Sequence, residues 1–580
     1  MNKKIILNLK LFLPAFLICM VSFSFADKTG DFYEEVSRFN RVLSEINLKY
    51  VEEVDPSKIT DAALDGIRNI LDPHTTVFSP KDYDDLKVTT DGQFGGIGIT
   101  ISVRDNQLTV ISPLQGTPAF AVGLQAGDRI IKIEGKSTRD LPLDKAVEKL
   151  RGKVGTNVNI TIAREGVTQP IDYTIKRAII VVHAVPYAGF VSKDIGYIKL
   201  AQFSQKTVSE LEQAIKDLKK QGMKKMILDL RFNPGGLLNQ AVEVSELFLK
   251  KGNVVVSTKG RTQETESVAT KNGILNDKTP LVVLVNEGSA SASEIVAGAI
   301  QDWDRGVILG KATFGKGSVQ TIFPLNNQGH ALKLTTALYY LPMGRCINKP
   351  ENAIKTKNEA EANFEDYEGL EEGTKADTAA ADTQVYHTAG GRKMFGDGGI
   401  TPDIEVDLNT IPWIVQLQER MTMFFKFAIR YRPLLEKSGY KLDENFEVPD
   451  SLYTAFKNFC AADTTFSKVK TNAQATADII EDILLKEQNF LGDSSETISS
   501  KELAQSLTEL KKQLHLHREL QFDNSKSYIL DAIKRELLAA AMGDEARIAH
   551  GLKTDKQVLE AIKILNDKAL YKKTLTPSKK

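Results

Sequence analysis

The sequence is poor in cysteine and carries no excess charge of either sign. Three cysteines occur in 580 residues, and because Cys346 and Cys460 lie in different regions, disulfide bonds do not define the fold. Basic and acidic side chains number 75 each, which leaves no global field to attract nucleic acid. No cysteine has zinc-ligand spacing, no HExxH helix occurs, and nothing near His74 completes a metal site. We therefore expect no nucleic-acid partner, no metal and no cofactor.

The first 26 residues have the pattern of a secretory signal peptide. Met1-Asn-Lys-Lys precedes an apolar run, and Ser24-Phe25-Ala26 has the small-x-small form of a cleavage site. Lys10 and the serines leave fewer clean apolar residues than the roughly 20 that a membrane-spanning helix needs. We expect cleavage before Asp27 and a periplasmic location, with a membrane-associated form left open.

At 580 residues the chain is too long for a single hydrophobic core, and its pattern changes along its length. Residues 27–91 have helical spacing, and residues 92–176 are rich in glycine and short β runs. Residues 177–410 alternate strand with helix, as a largely parallel sheet requires, but residues 348–388 within them predict an exposed, mobile insertion. Residues 411–580 are helical again. The sequence predicts a multi-domain α/β protein whose chemistry lies in the alternating region.

One strand-to-helix turn in that region consists of small residues. After Val285 the chain reads Asn-Glu-Gly-Ser-Ala-Ser-Ala-Ser-Glu, with Ser291 in the middle of the serine run. The positive end of a helix could present Ser291 there as a nucleophile. Serine is also a favoured N-cap, and Ser291-x-x-Glu294 has the form of a capping box. Taken alone, the turn is more typical of a cap than of a catalytic site.

A glycine-flanked lysine favours the catalytic interpretation. Lys316 lies between two glycines in Thr313-Phe-Gly-Lys-Gly-Ser-Val-Gln, whereas lysines are usually solvated. As a general base it needs a pKa roughly three units below the ordinary value of about 10.4, which burial can supply. At the start of a strand, Lys316 and Gln320 would share a face, so the amide could hold the amine in position.

A glycine turn supplies the third element. Asp229-Leu-Arg-Phe-Asn-Pro-Gly-Gly is a strand end followed by a turn whose backbone N–H groups could converge on one point. That geometry would form an oxyanion hole. The alternative is an ordinary tight turn.

In this order, the three motifs resemble those of the carboxyl-terminal processing proteases, also called tail-specific proteases, an extracytoplasmic serine-lysine peptidase family. The resemblance implies Ser291 as nucleophile, Lys316 as base and Gln320 as the residue that orients the lysine. It also implies the backbone amides of Ala292 and Gly236 as the oxyanion hole. The fold implied for the core is crotonase-like α/β.

Residues 92–176 resemble a PDZ domain, through Gly123 to Gly135 and through the loop and strand from Phe94 to Ile99. The residues that would receive a peptide's C-terminus are Gly95, Gly96, Ile97, Gly98 and Ile99. Ile97 and Ile99 alternate to one face, where they could line an apolar pocket or pack the domain core. The implied partners are protein or peptide substrates with accessible C-termini, and a homodimer stays open.

Two other interpretations compete with the serine-lysine one. A histidine base would use His183 or His330, although neither has a glycine-flanked setting. A PDZ adaptor with an inactive protease fold would have lost the serine or the lysine, and both are present. Trp303 and Tyr339 indicate packing rather than a substrate pocket.

Overall fold

The computed structural model describes residues 32–261, 264–275, 279–325, 329–349, 384–396, 398–490 and 500–577. The expected signal peptide and nearly all of the expected insertion lie outside these residues. The described residues fold as two units, one within Met1–Ser79 and Gln320–Thr335 and the other within Pro80–Val319 and Thr336–Lys580. Within the described ranges, every helix is too short or too polar to cross a membrane.

The N-terminal segment is helical, as its spacing predicts, with one short strand. Helix α1 spans residues 32–49 and α2 spans Pro56–Leu71. The carboxylate of Asp55 accepts a hydrogen bond from the Ser57 N–H at 2.9 Å and so caps α2. Strand β1 (Thr76–Phe78) pairs antiparallel with residues 331–333 in the same unit.

The second unit begins with a helix and a small antiparallel β domain. The elements are α3 (Pro80–Asp91), β2 (Gln93–Gly96), β3 (Ile99–Arg104), β4 (Gln107–Pro113), α4 (Pro118–Ala121), β5 (Arg129–Ile133), β6 (Lys136–Ser137), α5 (Leu143–Leu150), β7 (Asn157–Ala163), β8 (Ile171–Lys176) and β9 (Ala178–Val181). The main sheet has the order β3-β4-β5-β7-β8, with β6 paired to β5, and β2 pairs separately with β9. Strand β3 is therefore an edge strand of this sheet.

The next region alternates strand and helix, as expected. Its elements are β10 (Tyr187–Ser192), β11 (Ile195–Lys199), α6 (Thr207–Lys220), β12 (Lys225–Asp229), α7 (Leu238–Glu246), β13 (Val254–Gly260), β14 (Glu264–Val268), β15 (Leu281–Val285), α8 (Ala292–Asp302), β16 (Val307–Gly310), β17 (Ser318–Pro324), β18 (Ala331–Tyr340), β19 (Val385–His387), β20 (Lys393–Phe395) and β21 (Ile404–Glu405). A six-stranded sheet has the order β10-β11-β12-β15-β16-β21. Its pairs are parallel except for β10 with β11. The predicted largely parallel sheet is confirmed.

The remainder is helical, which confirms the last part of the predicted architecture. The helices are α9 (Trp413–Arg420), α10 (Met423–Lys437), α11 (Asp450–Ala462), α12 (Asn472–Phe490), α13 (Ser500–Asn524), α14 (Lys526–Met542), α15 (Asp544–Gly551), α16 (Lys556–Asn566) and α17 (Lys568–Thr574). A separate core joins α9, α10, α11 and α14 around Phe427, Phe456 and Ile533. The rings of Phe424 and Phe456 stack there with centroids 4.8 Å apart.

The parallel sheet is covered on both faces, because successive strand residues point to opposite sides. On one face, Ile198, Leu228 and Val283 pack in the core that includes residues of α6, α7 and α8. On the other face, Tyr197, Ile227 and Val282 pack with Val558 and Ile564 of α16. The last helices of the chain are thus part of the sheet's hydrophobic core.

Candidate active site

Ser291 lies between β15 and α8 with a strained backbone. Its φ is 52° and its ψ is −112°, in the left-handed half of conformational space that residues other than glycine seldom adopt. Such strain persists only where the surroundings enforce it, and it clusters at active sites. The strained turn places a partly exposed Ser291 at the N-terminus of α8.

The two neighbouring serines differ from Ser291 in exposure and bonding. Ser289 and Ser293 are fully buried. The Ser289 hydroxyl donates to the Leu230 carbonyl at 2.8 Å, and the Ser293 hydroxyl donates to the Asn233 carbonyl at 2.9 Å. Both therefore fasten the serine turn, residues 289–293, to the chain that leads into the glycine turn. Ser291 is the serine of this run that a substrate can reach.

Lys316 lies in a loop whose backbone is fixed from several directions. The Phe314 N–H donates to the Ser289 carbonyl at 3.0 Å, and the Gly317 N–H donates to Asn348 Oδ1 at 3.1 Å. Strand β17 begins only at Ser318, so the expectation that Lys316 starts the strand is wrong.

Because Lys316 precedes β17, the alternation of side chains along the strand does not place Lys316 and Gln320 on the same face. Gln320 is the third residue of β17 and belongs to the other unit. Its role in orienting the lysine stays a prediction.

One buried carboxylate joins the turn of Ser291 to the loop of Lys316. Glu294 Oε2 accepts from the Ser291 N–H at 2.8 Å and from the Lys316 N–H at 2.9 Å. Glu294 Oε1 accepts from the Gly315 N–H at 2.7 Å and from the Thr313 hydroxyl. Burial raises the pKa of Glu294, although the hydrogen bonds that it accepts oppose this rise. The expected reach of Glu294 back to Ser291 is present, and the link to Lys316 is additional.

Tyr339 makes a second connection between the same two residues. Its side chain is fully buried, as expected for a packing residue. Its hydroxyl donates to the Lys316 carbonyl and lies 3.2 Å from the Ser291 carbonyl oxygen. Burial, with the nearby Glu294 carboxylate, raises the pKa of Tyr339 well above its usual value.

The glycine turn lies against the serine turn. A Cβ on Gly235 would lie 2.9 Å from both the Ala292 nitrogen and Ser291 Cβ. The Gly235 N–H donates to Asn233 Oδ1 at 2.9 Å. The N–H groups of Gly236 and Ala292, in contrast, have no acceptor within the described ranges. The two amides expected to form an oxyanion hole are thus the ones left available by these two turns.

Residues near the end of the chain hold the strand that leads into the glycine turn. Arg231 pairs with Asp229 at 2.7 Å and with Asp555 at 2.8 Å, and it donates to Gln557 Oε1 at 3.0 Å. Lys199 donates to the Arg231 carbonyl at 2.7 Å. Burial alone would raise the pKa of Asp229, but the charges of Arg231 and Lys199 hold it at about 2. This ion-pair cluster fixes the end of the strand from which the glycine turn begins.

The histidines considered as alternative bases have other surroundings. His183 is two-thirds exposed and its Nδ1 lies 3.0 Å from Glu210. His330 belongs to the unit that contains Gln320, not the unit of Ser291. Across the part of the chain that the structure describes, no three His, Cys, Asp or Glu side chains lie together as metal ligands would.

A groove of about 280 Å³ lies between the edge strand β3 and helix α5. Ile97, Ile99 and Val147 line it. Ile97 is also buried in the core of the small β domain, with Ile99 packed against that core. Both functions considered for these side chains are therefore compatible with their positions. The N–H groups of Ile97 and Gly98 find no acceptor among the described residues, so they are available to a ligand at one end of the groove.

Three family models match this chain, one for each of three successive regions. The family model "Peptidase family S41" matches residues 194–356, "PDZ domain" matches residues 85–163, and "Probable PDZ-protease, C-terminal helical domain" matches residues 415–565.

Relatives match more than half of this chain. A carboxy-terminal-processing protease of Bartonella bacilliformis is 45% identical over 341 residues, which are 58% of this chain and 78% of the relative. The carboxy-terminal processing protease CtpA of Bacillus subtilis is 36% identical over 334 residues, 57% of this chain and 70% of the relative. A solved photosystem II D1 C-terminal processing protease is 31% identical, covering 53% of this chain and 83% of that one, with a TM-score of 0.33. The chain belongs to the carboxy-terminal processing proteases, serine-type enzymes of peptidase family S41.

Proposed function

We propose that this protein is an extracytoplasmic endopeptidase that cleaves unfolded or tail-exposed proteins with Ser291 as nucleophile and Lys316 as general base. The observation that carries the proposal is the strained, partly exposed Ser291 turn, with two available N–H groups beside it. The Lys316 loop is joined to that turn through Glu294. These are the parts that acyl transfer by a serine requires.

In the proposed reaction, the neutral Lys316 amine takes the proton of the Ser291 hydroxyl as its oxygen attacks the peptide carbonyl. The N–H groups of Ala292 and Gly236 donate to the oxyanion that forms. The lysine ammonium then gives its proton to the departing amine, which leaves an ester on Ser291. The neutral amine then deprotonates a water that attacks the ester, and the resulting ammonium returns the proton to the departing Ser291 oxygen. Gln320 orients the lysine in this proposal.

The dyad is tested by incubating the full chain with an unfolded protein and identifying products by mass spectrometry. We expect Ser291→Ala and Lys316→Ala each to abolish cleavage while the thermal unfolding transition is retained, because nucleophile and base act as a unit. Cleavage by either variant at the wild-type rate would refute the dyad.

A lysine base also has a characteristic pH dependence. Because the amine must lose its proton, the rate should rise toward alkaline pH, with an apparent pKa below that of free lysine. Lys316→Arg should be inactive, since a guanidinium stays protonated. A rate limb near pH 6.5 that disappears in His183→Ala or His330→Ala would instead support a histidine base.

We further propose that the groove between β3 and α5 recruits substrates by their C-termini. An edge strand can accept a peptide as an added strand, and unpaired N–H groups at its start can receive a terminal carboxylate. The apolar lining by Ile99 and Val147 favours an apolar last residue.

Recruitment is tested on the full-length Ser291→Ala variant, which cannot consume its ligand. Fluorescence anisotropy should show tighter binding of a peptide with a free apolar C-terminus than of its amidated or Asp-extended forms. Ile99→Asp should weaken binding, whereas Val103→Asp on the same strand, 42% exposed, serves as the control. Equal binding of the three peptides would exclude this role. Tail binding without any cleavage by the wild type would support the PDZ adaptor.

The extracytoplasmic location rests on the signal-peptide pattern of residues 1–26. Fractionation of cells that produce the full chain should place it outside the cytoplasm, with an N-terminus at Asp27 by sequencing. A cytoplasmic protein that retains Met1 would contradict this part of the proposal.

A further inference from the structure

The backbones of Ser291 and Lys316 are connected through both their N–H groups and their carbonyl groups. Glu294 Oε2 accepts from both amide nitrogens, at 2.8 and 2.9 Å, so the sum of these two short distances limits how far apart the two nitrogens can lie. On the carbonyl side, the Tyr339 hydroxyl donates to Lys316 and lies 3.2 Å from the Ser291 oxygen. The two residues are 25 positions apart in sequence. The local backbone conformation of either residue therefore does not fix the distance between them.

We propose that Glu294 and Tyr339 are positioning residues that hold the Ser291 backbone at a fixed distance from the Lys316 backbone, so that hydroxyl and amine meet in reactive geometry. The proposal rests on the proposed serine-lysine dyad. Neither residue touches the substrate in this role. Each acts through the two residues that it connects.

The chemistry of a carboxylate suits Glu294 to this task. Its four donors are the N–H groups of Ser291, Gly315 and Lys316 and the hydroxyl of Thr313, and all four are neutral. An ionised carboxylate is acceptor-only and can take two donors on each oxygen. A glutamine of the same shape offers a single acceptor oxygen, so two donors would face its NH₂ group.

The burial of Glu294 is a further argument for a functional role. The side chain is fully buried, and an anion in such a place is costly unless hydrogen bonds satisfy it. For a helix cap alone, a single hydrogen bond to the Ser291 N–H would suffice, as at many surface helices. The remaining three bonds go to the loop that carries Lys316. The position therefore does more than cap α8.

The expected effect of Glu294→Gln falls on the chemical step. A displacement of about 1 Å between reacting groups can lower the rate about 100-fold, so we expect kcat to fall about 100-fold while KM changes by less than about threefold. Tyr339→Phe removes one hydroxyl and keeps the ring, and we expect kcat to fall about tenfold by the same reasoning. The acylation rate of Ser291 by a fluorophosphonate, which needs no peptide binding, should fall in parallel.

The pH profile separates positioning from general destabilisation. Glu294→Gln removes an anion close to Lys316, which disfavours the protonated amine and should move the alkaline limb to lower pH. Tyr339→Phe changes no charge at neutral pH and should leave the limb in place. The other titratable groups around this contact are Cys346, beside Tyr339, and Lys349, whose Nζ lies 3.4 Å from the Thr313 carbonyl; both variants keep them.

Matched controls are available elsewhere in the chain. Glu246 is buried and accepts from the Thr270 N–H at 2.8 Å, so Glu246→Gln alters a buried carboxylate without touching the dyad. Tyr453 is buried and its hydroxyl bonds Asp523 at 3.0 Å, so Tyr453→Phe removes a comparable hydroxyl. Both control variants should keep the wild-type kcat below their unfolding temperatures.

The outcomes distinguish this inference from the dyad itself. If Ser291→Ala or Lys316→Ala cleaves normally, the dyad is refuted and the positioning role with it. If both are inactive but Tyr339→Phe and Glu294→Gln keep the wild-type kcat and pH limb, only the positioning role is refuted. Should Glu294→Gln not fold, Tyr339→Phe decides: an unchanged kcat and acylation rate would overturn the inference. Losses of kcat as large in the two controls would overturn it too.

Discussion

Substituting Gly235 by alanine is the sharpest steric test of the site. Gly235 has a φ of +96°, and an added Cβ would lie 2.8 Å from the Ala290 carbonyl oxygen and 2.9 Å from both the Ala292 nitrogen and Ser291 Cβ. Two of these atoms are backbone and the third is fixed to the strained Ser291 turn, so no flexible side chain can move aside. The added methyl group must push the serine turn away from the glycine turn.

Two costs add in this variant. A left-handed backbone costs an alanine about 1–2 kcal/mol relative to glycine, and an extra methyl group in a packed site costs about 1–3 kcal/mol. We therefore expect the free energy of unfolding to fall by about 2–5 kcal/mol. Because the Ala292 N–H moves with the turn, kcat should fall about 100-fold or more, as expected when an oxyanion donor is lost.

Gly252 provides the matched control. Its φ is +87°, and an added Cβ would meet no heavy atom within 4 Å, so Gly252→Ala carries only the backbone cost of about 1–2 kcal/mol. Urea denaturation followed by the fluorescence of Trp303 at the end of α8, in a Trp413→Phe background, reports the stability of the protease core. If Gly235→Ala is no less stable than Gly252→Ala and keeps the wild-type kcat, the close contact between the two turns is wrong.

Four further outcomes are expected. Ser289→Ala and Ser293→Ala should each lower the free energy of unfolding by about 0.5–1.5 kcal/mol, because each removes a buried hydrogen bond; each should retain fluorophosphonate labelling, and loss of labelling in one variant would mark that serine as the nucleophile. Asp229 has a pKa of about 2 against an ordinary 3.8, so it contributes about 2 kcal/mol that is present above pH 4 and lost toward pH 2; urea denaturation should show this acid dependence reduced in Asp229→Asn. Phe232, 64% exposed with a φ of 58°, should give a more thermostable protein as Phe232→Asn, since asparagine tolerates this conformation better. Gly66→Ala in α2, where an added Cβ meets nothing within 4 Å, should raise the stability of its unit by about 0.5–1 kcal/mol, as measured by urea denaturation followed by far-UV circular dichroism.

Elements with a strong local pattern could be predicted from the sequence. The helix Leu143–Leu150 and the strand Leu281–Val285 are two examples. The helix has two apolar residues that face a core, and the strand has five consecutive apolar residues. Both patterns can be recognised from residues that are close in sequence. The serine turn and the glycine turn were recognisable for the same reason, because each is contiguous in the chain.

Features that depend on distant residues could not be predicted in this way. The side chain of Glu294 was expected to serve its own helix, and nothing in the spacing indicated that Gly315 and Lys316 would donate to it. Strand β14 reads Glu-Thr-Glu-Ser-Val and is largely exposed, so its strand conformation follows from pairing with β13 rather than from its own pattern. The packing of α16 on the protease sheet is likewise a long-range contact that helical spacing alone does not reveal.

The contact of Arg231 with Asp555 and Gln557 makes the glycine turn depend on a much later part of the chain. A ribosome makes the chain from its N-terminus, so Ser291, Lys316 and the glycine turn all emerge more than 200 residues before Asp555 and Gln557. Until those two residues arrive, Arg231 lacks two of its partners and the inner face of α16 is missing from the sheet. A chain truncated before Asp555 would therefore contain Ser291, Lys316 and the glycine turn without two of the contacts that fix the Arg231 side chain, and without the helix that covers one face of the sheet.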